Sequence, residues 1–276
     1  MSILVLGSSG QIGSEIVRQL RAEGKPVEEF DIKEHSSEDL RIQENELLKY
    51  RLSKADFVYF LAFDVGGSKY LEVFQKTPDF ISNNLRLMEN TFTALRVSGK
   101  PFIFASTQMS NMSHSPYGLL KAIGEAYTRS LNGLIVKFWN TYGIEADDDK
   151  AHVITDFIRA AARDSRILMR TDGQEERQFL HAEDCSRCLL TLKESYRTIP
   201  RSEELHVTSF KWTRIIEIAT IVAETFRCIE VIPGAATDLV QNGVKNEPSE
   251  AILKYWQPRI GIDEGIRKVA AAMGLL

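Results

Sequence analysis

Short apolar runs alternate with helical periodicity through the first half of the chain. Ile3–Leu6 reads as a buried strand, followed by a glycine turn and an amphipathic helix over residues 12–23. Residues 26–30 read as a second strand, 56–62 as a third and 101–105 as a fourth, with a helix predicted over 80–97 between the last two. A helix over 117–131 and a strand over 134–139 complete the series. Strands separated by helices imply right-handed crossovers, and so a parallel, doubly wound α/β sheet of the Rossmann type. No internal repeat or low-complexity segment interrupts the pattern.

After Gly143 the pattern changes. An acidic loop over 145–150 leads to a helix over 153–163, then short strands, further helices including one over 183–192, a loop-like stretch over 234–248 and a final helix over 263–273. Residues 1–143 therefore read as a dinucleotide-binding Rossmann domain. Residues 144–276 read as a smaller α/β substrate lobe, with parts returning to the sheet. A ligand crevice is expected where the two meet at the carboxyl ends of the strands.

Composition narrows the function classes. The 276 residues are 43% hydrophobic and 26% charged, with a net charge of −4 and no basic tract, which argues against a nucleic-acid partner. No run approaches the ~18 apolar residues of a membrane span. The apolar start, Met1 to Gly7, lacks a basic leader and fits a strand better than a signal peptide. The three cysteines, Cys185, Cys188 and Cys228, are sparse and odd in number, which favours reduced thiols in a cytoplasmic protein. Cys185 and Cys188 form a C-x-x-C without a second pair. We expect no metal site there, only two thiols on one helix face.

The stretch Gly7-Ser-Ser-Gly10-Gln11-Ile12-Gly13 follows the first strand and opens the first helix. Glycine serves where a turn takes positive φ, where backbone approaches a pyrophosphate, and where helix and strand pack closely. The helix N-terminus offers free N–H groups to phosphate. Three glycines in seven residues also make an ordinary tight turn; the strand–turn–helix context favours a dinucleotide. Asp31 ends the second strand, where a carboxylate accepts from ribose hydroxyls and repels a 2′-phosphate, favouring NAD over NADP. Lys33 softens that preference.

The chemistry points elsewhere in the chain. Ser106 and Thr107 end the fourth strand, and Tyr117 and Lys121 follow at helical i, i+4 spacing, one turn apart. A free phenol titrates near ~10 and is a poor base at neutral pH. A nearby ammonium and a positive nicotinamide ring would both favour phenolate. Thr107 would hold the reacting oxygen. His114 reads as a solvated loop residue rather than a substrate contact.

The glycine motif, Asp31, Thr107, Tyr117 and Lys121, in this order, resemble the extended short-chain dehydrogenase/reductase family, in its nucleotide-sugar epimerase and dehydratase group. That resemblance covers essentially the whole chain. It implies further cofactor contacts at Ile32, Asp39, Leu40, Leu61, Ala62, Phe63, Asn84 and Trp139. The segment Lys137-Phe-Trp-Asn140-Thr-Tyr-Gly143 is similar to the family's substrate segment, with lysine in place of the usual arginine. It implies substrate contacts at Ser106, Thr107, Asn140, His152 and Val153, and an Arg177 that grips the nucleotide's diphosphate or ribose. The resemblance also implies a homodimer formed through a four-helix bundle of the helices over 80–97 and 117–131.

Within that group, dehydratases carry an acidic pair directly after the threonine, whereas this chain has Gln108-Met109. Hydride removal from a sugar carbinol by NAD remains, leading to epimerisation with C4 favoured, or to a 4-dehydrogenase or ketoreductase if a keto sugar is released or consumed. The loop Asp64-Val65-Gly66-Gly67-Ser68 is similar to one in GDP-fucose synthase-like members and hints weakly at a GDP-sugar. A non-catalytic NAD-binding sensor or scaffold is the alternative class; such proteins usually lose the Tyr or Lys that this chain keeps.

Overall fold

The computed structural model describes residues 2–145, 147–227, 230–238 and 245–276. Elements run β1 (Ile3–Leu6), α1 (Gln11–Ala22), β2 (Val27–Phe30), α2 (Glu46–Lys54), β3 (Phe57–Phe60), α3 (Ser68–Phe74), α4 (Pro78–Ser98), β4 (Phe102–Thr107), α5 (Pro116–Ser130) and β5 (Leu134–Phe138). Then follow β6 (Asn140–Tyr142), α6 (Val153–Asp164), β7 (Arg166–Leu168), β8 (Glu176–His181), α7 (Ala182–Glu194), β9 (Leu205–Val207), β10 (Trp212–Arg214), α8 (Ile215–Phe226), β11 (Glu230–Ile232) and α9 (Ile262–Ala272).

The six-stranded sheet has the order β2-β1-β3-β4-β5-β9 and is parallel throughout. Its strands are apolar on both faces because each face carries its own core. Ile3, Val5, Phe57, Tyr59, Ile103 and Ala105 point to the side of α1 and α7. Leu4, Leu6, Val58, Phe60, Phe102 and Phe104 point to the side of α2, α4 and α5. Alternation of side chains along a strand makes this division automatic once both faces are covered. The order reverses at β1, so the crevice opens at the carboxyl ends of β1 and β3.

A third core belongs to the second lobe, where α6, α8 and α9 enclose Ile154, Ile158, Ile218, Val222 and Ile266. Its three-stranded sheet runs β10-β8-β6. β6, just before the division expected at Gly143, pairs with β8 of the second sheet. The later chain also returns: β9 extends the main sheet beside β5, and α7 packs along α1. Cys185 and Cys188 are free and fully buried in the core between α7 and the sheet, where burial pushes both thiols up. Cys228 lies outside the described residues. Among the described residues no helix is long and apolar enough to cross a membrane, and no cluster of three His, Cys, Asp or Glu side chains is placed to hold a metal.

Candidate active site

The glycine turn explains its own composition. Gly7 adopts φ of 89°, and a Cβ on Gly13 would lie 2.1 Å from the Gly7 carbonyl oxygen. Only glycine allows α1 to start this close to the end of β1. Gly10 caps the helix without a side-chain bond, leaving the first amides of α1 open to the cleft. Asp31 stands at the end of β2; its carboxylate accepts from the Ser9 amide at 3.0 Å and the Lys33 amide at 2.9 Å.

Gly7, Gly10, Gln11, Ile12, Gly13 and Asp31 line one end of a cleft of about 510 Å³. Ile32, Asp39, Leu40, Leu61, Ala62 and Phe63 continue the same wall. Ile32 is left exposed there and Leu40 is buried. A bare helix N-terminus, a cradle that a Cβ would fill, and a carboxylate flanked by apolar side chains fit a dinucleotide. The residues present therefore suit NAD.

Ser106, Thr107, Tyr117, Lys121, Trp139 and His152 line the other end. Three successive residues of β4 are gripped by successive turns of α5. The Thr107 side chain faces the Tyr117 phenol and works to lower it, Lys121 Nζ donates to the Ala105 carbonyl at 2.6 Å, and Ser106 Oγ donates to Glu125 Oε1 at 2.6 Å. Ser115 caps α5 by accepting from the Gly118 amide and donates to the buried Gln75 at 3.0 Å, which fixes the turn carrying Tyr117. A Cβ on Gly118 would lie 2.2 Å from the Met109 carbonyl, so α5 begins pressed against the segment after Thr107.

The electrostatics correct one expectation. In the protein alone, burial pushes the Tyr117 phenol up to about 12, and the Thr107 side chain only partly offsets it. Burial also pulls Lys121 down to about 7, against the opposing pull of the Glu125 carboxylate. Lys121 Nζ sits 3.8 Å from the centre of the Phe63 ring. The aromatic enclosure that shields the site from water also desolvates its charges, a cost that spacing along the sequence does not reveal.

Several expected site residues lie off this cleft. Asn84 is fully buried; its side-chain oxygen accepts from the Asp64 amide at 2.9 Å and its Nδ2 donates to the Asp64 carbonyl at 3.1 Å. It shapes the loop after β3 from behind. Ser106 borders the cleft, but its hydroxyl is committed to Glu125. Asn140 starts β6 and pairs in register with Phe179, and Val153 packs against the third core, neither lining the cleft. Arg177 lies in a second cavity of about 500 Å³, with Gln174, Thr237, Asp238 and Lys245. There it forms an ion pair with Asp238. His114 lies exposed on the turn before α5.

Trp212 links a residue of each cavity. Trp139 meets Trp212 edge-on at 5.7 Å, and Lys245 Nζ lies 4.1 Å from the centre of the Trp212 ring. Asn246 Nδ2 donates to the Gln108 carbonyl at 2.7 Å and to its side-chain oxygen at 2.5 Å. The position after Thr107 is thus held by the second lobe.

Other cleft residues escaped sequence reasoning. Arg41 lines the Asp31 end, paired with Asp39 at 2.8 Å. At the mouth, Lys150 Nζ meets Asp64 Oδ1 at 2.6 Å and His152 Nδ1 meets Glu145 Oε1 at 2.5 Å. Burial works to raise Glu145, but the hydrogen bond and charge of His152 lower it overall. The acidic loop over 145–150 was visible as a charged stretch; its partner Asp64, far away in sequence, was not.

A family model described as "NAD dependent epimerase/dehydratase family" matches residues 3–208. GDP-mannose 3,5-epimerase of Arabidopsis thaliana is 27% identical over 314 residues, covering 97% of this chain and 80% of that protein. Among solved structures, UDP-glucose 4-epimerase of Thermotoga maritima with UDP-glucose superposes with a TM-score of 0.75 at 19% identity, covering 99% of each chain. UDP-glucose 4-epimerase of Thermus thermophilus in complex with NAD gives 0.73 at 21% identity, covering 98% of each. These two likenesses speak to the fold.

Proposed function

The chain belongs to the NAD-dependent epimerase/dehydratase family, and from that premise we propose that it epimerises a nucleotide sugar at a carbinol carbon, C4 favoured, with NAD held in the cleft. The observation that carries this reading is the placement of Thr107, Tyr117 and Lys121 in the same cleft as the glycine turn. Bound NAD would supply the hydride acceptor, a chemistry no side chain here provides.

Gly7, Gly10 and Gly13, with the first amides of α1, hold the pyrophosphate, and Asp31 accepts from the adenosine ribose. Tyr117 takes the proton of the sugar hydroxyl while Thr107 holds that oxygen in line. A Lys121 ammonium one turn along α5 would favour the phenolate, against the burial that pushes Tyr117 up to about 12. Epimerisation follows when the keto sugar is re-reduced on its opposite face; its release instead makes the protein a 4-dehydrogenase.

The nucleotide end of the substrate is assigned to the second cavity, where Arg177 is paired with Asp238 and Lys245 with Glu176; a diphosphate bound there would have to take the place of these carboxylates. Gln108 is an amide bonded to Asn246, so the acid that a dehydratase would place after the threonine is absent. A second copy of the chain fits the outer face of α4 and α5, where Leu85, Leu119, Ile123 and Tyr127 are exposed.

Denaturing the purified protein and identifying the released nucleotides by mass spectrometry tests the reading. Co-purified NAD supports an epimerase that retains its cofactor, and a co-purified nucleotide sugar names the base. An empty protein that forms NADH from one member of a GDP-, UDP-, CDP- and dTDP-sugar panel is a dehydrogenase. Absence of both NAD binding and turnover on the whole panel overturns the proposal.

A further inference from the structure

Glu125 is a buried carboxylate to which the reaction outlined above gives no task. It lies one turn beyond Lys121 on α5 and is 4% exposed. A carboxylate withdrawn from water persists as an anion only with hydrogen bonds and opposite charges around it. Glu125 has both. Ser106 Oγ of β4 donates to it at 2.6 Å, Arg129 of its own helix at 2.9 Å, and Lys137 of β5 approaches to 3.8 Å.

Beyond Lys137 the charges continue to the surface. Lys137 pairs with the exposed Glu204, which lies 3.8 Å from His206 Nε2. His206 Nδ1 in turn accepts from Trp139 Nε1 at 3.2 Å, in the cleft wall. Glu125 is therefore the inner end of a line of charged groups behind the reacting strand.

The surroundings of Lys121 are poor in negative charge. Its ammonium faces the Phe63 ring at 3.8 Å, the Phe104 ring at 5.1 Å and the Ala105 carbonyl, with the neutral Tyr117 phenol one turn before it. Glu125 is the carboxylate that counteracts the burial of that ammonium. The same carboxylate fixes Ser106, the residue between the one Lys121 holds and the one that faces Tyr117.

We propose that Glu125 is a positioning residue for this reaction, holding Ser106 and so the strand end that presents Thr107, and serving as the buried counter-charge of the Lys121 ammonium. This rests on the reading of Tyr117 and Lys121 as the reacting pair. Two substitutions separate the two roles. Glu125→Gln keeps an oxygen for the Ser106 hydroxyl and removes the charge; Ser106→Ala keeps the charge and removes the hydrogen bond.

The sign follows from charge alone. Without the carboxylate the ammonium loses its counter-charge, and Arg129 loses its partner, while Lys137 keeps Glu204. Lys121 must then give up its proton at lower pH.

The test is a titration of the full chain, labelled with carbon-13 and nitrogen-15, reading the Lys121 Cε and Nζ signals assigned with Lys121→Met. Lys121 is expected to titrate near about 7 in the wild type and roughly one pH unit lower in Glu125→Gln. Ser106→Ala should leave the titration in place. Glu125→Asp, which withdraws the charge by one methylene, should give a smaller shift in the same direction and stands in if Glu125→Gln does not fold. An unchanged Lys121 titration in a folded Glu125 variant overturns the proposal.

Because the titration needs neither substrate nor turnover, it separates this inference from the reading of the reaction. A shifted Lys121 in a protein indifferent to Tyr117→Phe would leave the counter-charge standing and remove its catalytic purpose. With an active substrate in hand, the alkaline limb of kcat/KM should move to lower pH in Glu125→Gln.

Discussion

Lys121 Nζ donates to the Ala105 carbonyl at 2.6 Å, so the ammonium one helical turn from Tyr117 is anchored to the strand behind it. That anchor lies in an apolar enclosure which pulls Lys121 down to about 7. The unfolded chain keeps its lysine protonated to about 10.4. Between these limits the unfolded state binds the extra proton, so stability rises with pH, by at most about 1.4 kcal/mol per pH unit. Below about 7 both states hold the proton and this slope vanishes. Lys121→Met should remove this contribution and raise the melting temperature at pH 7 while removing turnover. Thermal melts of both proteins from pH 6 to 10 read the difference between them; a difference that stays flat between pH 7 and 10 refutes the burial argument.

Tyr117→Phe keeps the ring against Phe63, which it meets edge-on at 5.7 Å, and loses the hydroxyl. Turnover should fall by ~10²–10⁴-fold, the range for a lost general base. NADH affinity, followed by fluorescence, should hardly change. Carbinol oxidation should also speed up as pH rises, because only phenolate accepts the proton, until Lys121 loses its own proton and the alkaline limb begins. Full activity in the variant would remove Tyr117 from the mechanism.

Gly13→Ala places a methyl 2.1 Å from a backbone carbonyl, with Gly7 C and Ser8 Cα within 3.0 Å. No side chain can move to relieve this. The expected cost is ~1–3 kcal/mol of stability, together with loss of NAD binding. Gly261→Ala meets no atom within 4 Å and serves as the control, expected to stay within ~0.5 kcal/mol. Calorimetric melts and NADH titration of both variants read the difference.

Asp31→Asn keeps one acceptor oxygen, for the Ser9 or the Lys33 amide, and removes the negative charge at the end of β2. Lys33 and Arg41 then face the position of a 2′-phosphate with less opposition. NADP affinity relative to NAD should rise about tenfold or more, equivalent to ~1.4 kcal/mol. Paired titrations with both cofactors decide; an unchanged ratio would assign cofactor choice to other residues.

Leu119, Ile123 and Tyr127 recur every fourth residue on α5 and are 42–47% exposed, with Leu85 of α4 beside them in the same class. A stripe of this kind is suited to burial against its own copy. Ile123→Asp should convert a dimer at micromolar concentration into a monomer in analytical ultracentrifugation. A wild-type protein that sediments as a monomer would refute the assembly.

Where the sequence reading failed, contacts between distant segments were responsible. The helix Glu46–Lys54 buries only Leu48 and Leu52, too few apolar positions to stand out from charged surroundings. Ser106 lines the cleft beside Thr107 while its hydroxyl donates to Glu125, a partner on another element that local spacing does not reveal. Asn84, expected at the cofactor, lies behind the cleft wall and supports the loop after β3. The Asp64–Lys150 and Gln108–Asn246 contacts join residues 86 and 138 positions apart, beyond the reach of any local pattern.

The chain's own order of residues determined the sheet and its glycine turn, because strand apolarity, helix periodicity and the steric need for glycine are local properties. It also determined that Tyr117 and Lys121 share a helix face. The tertiary structure alone decided how those groups are charged and what they face. Enclosure by Phe63 and Phe104 and the placing of Arg177 in a second cavity depend on which distant surfaces come together. Desolvation and pairing act through space, so they become determinate only when the fold has closed.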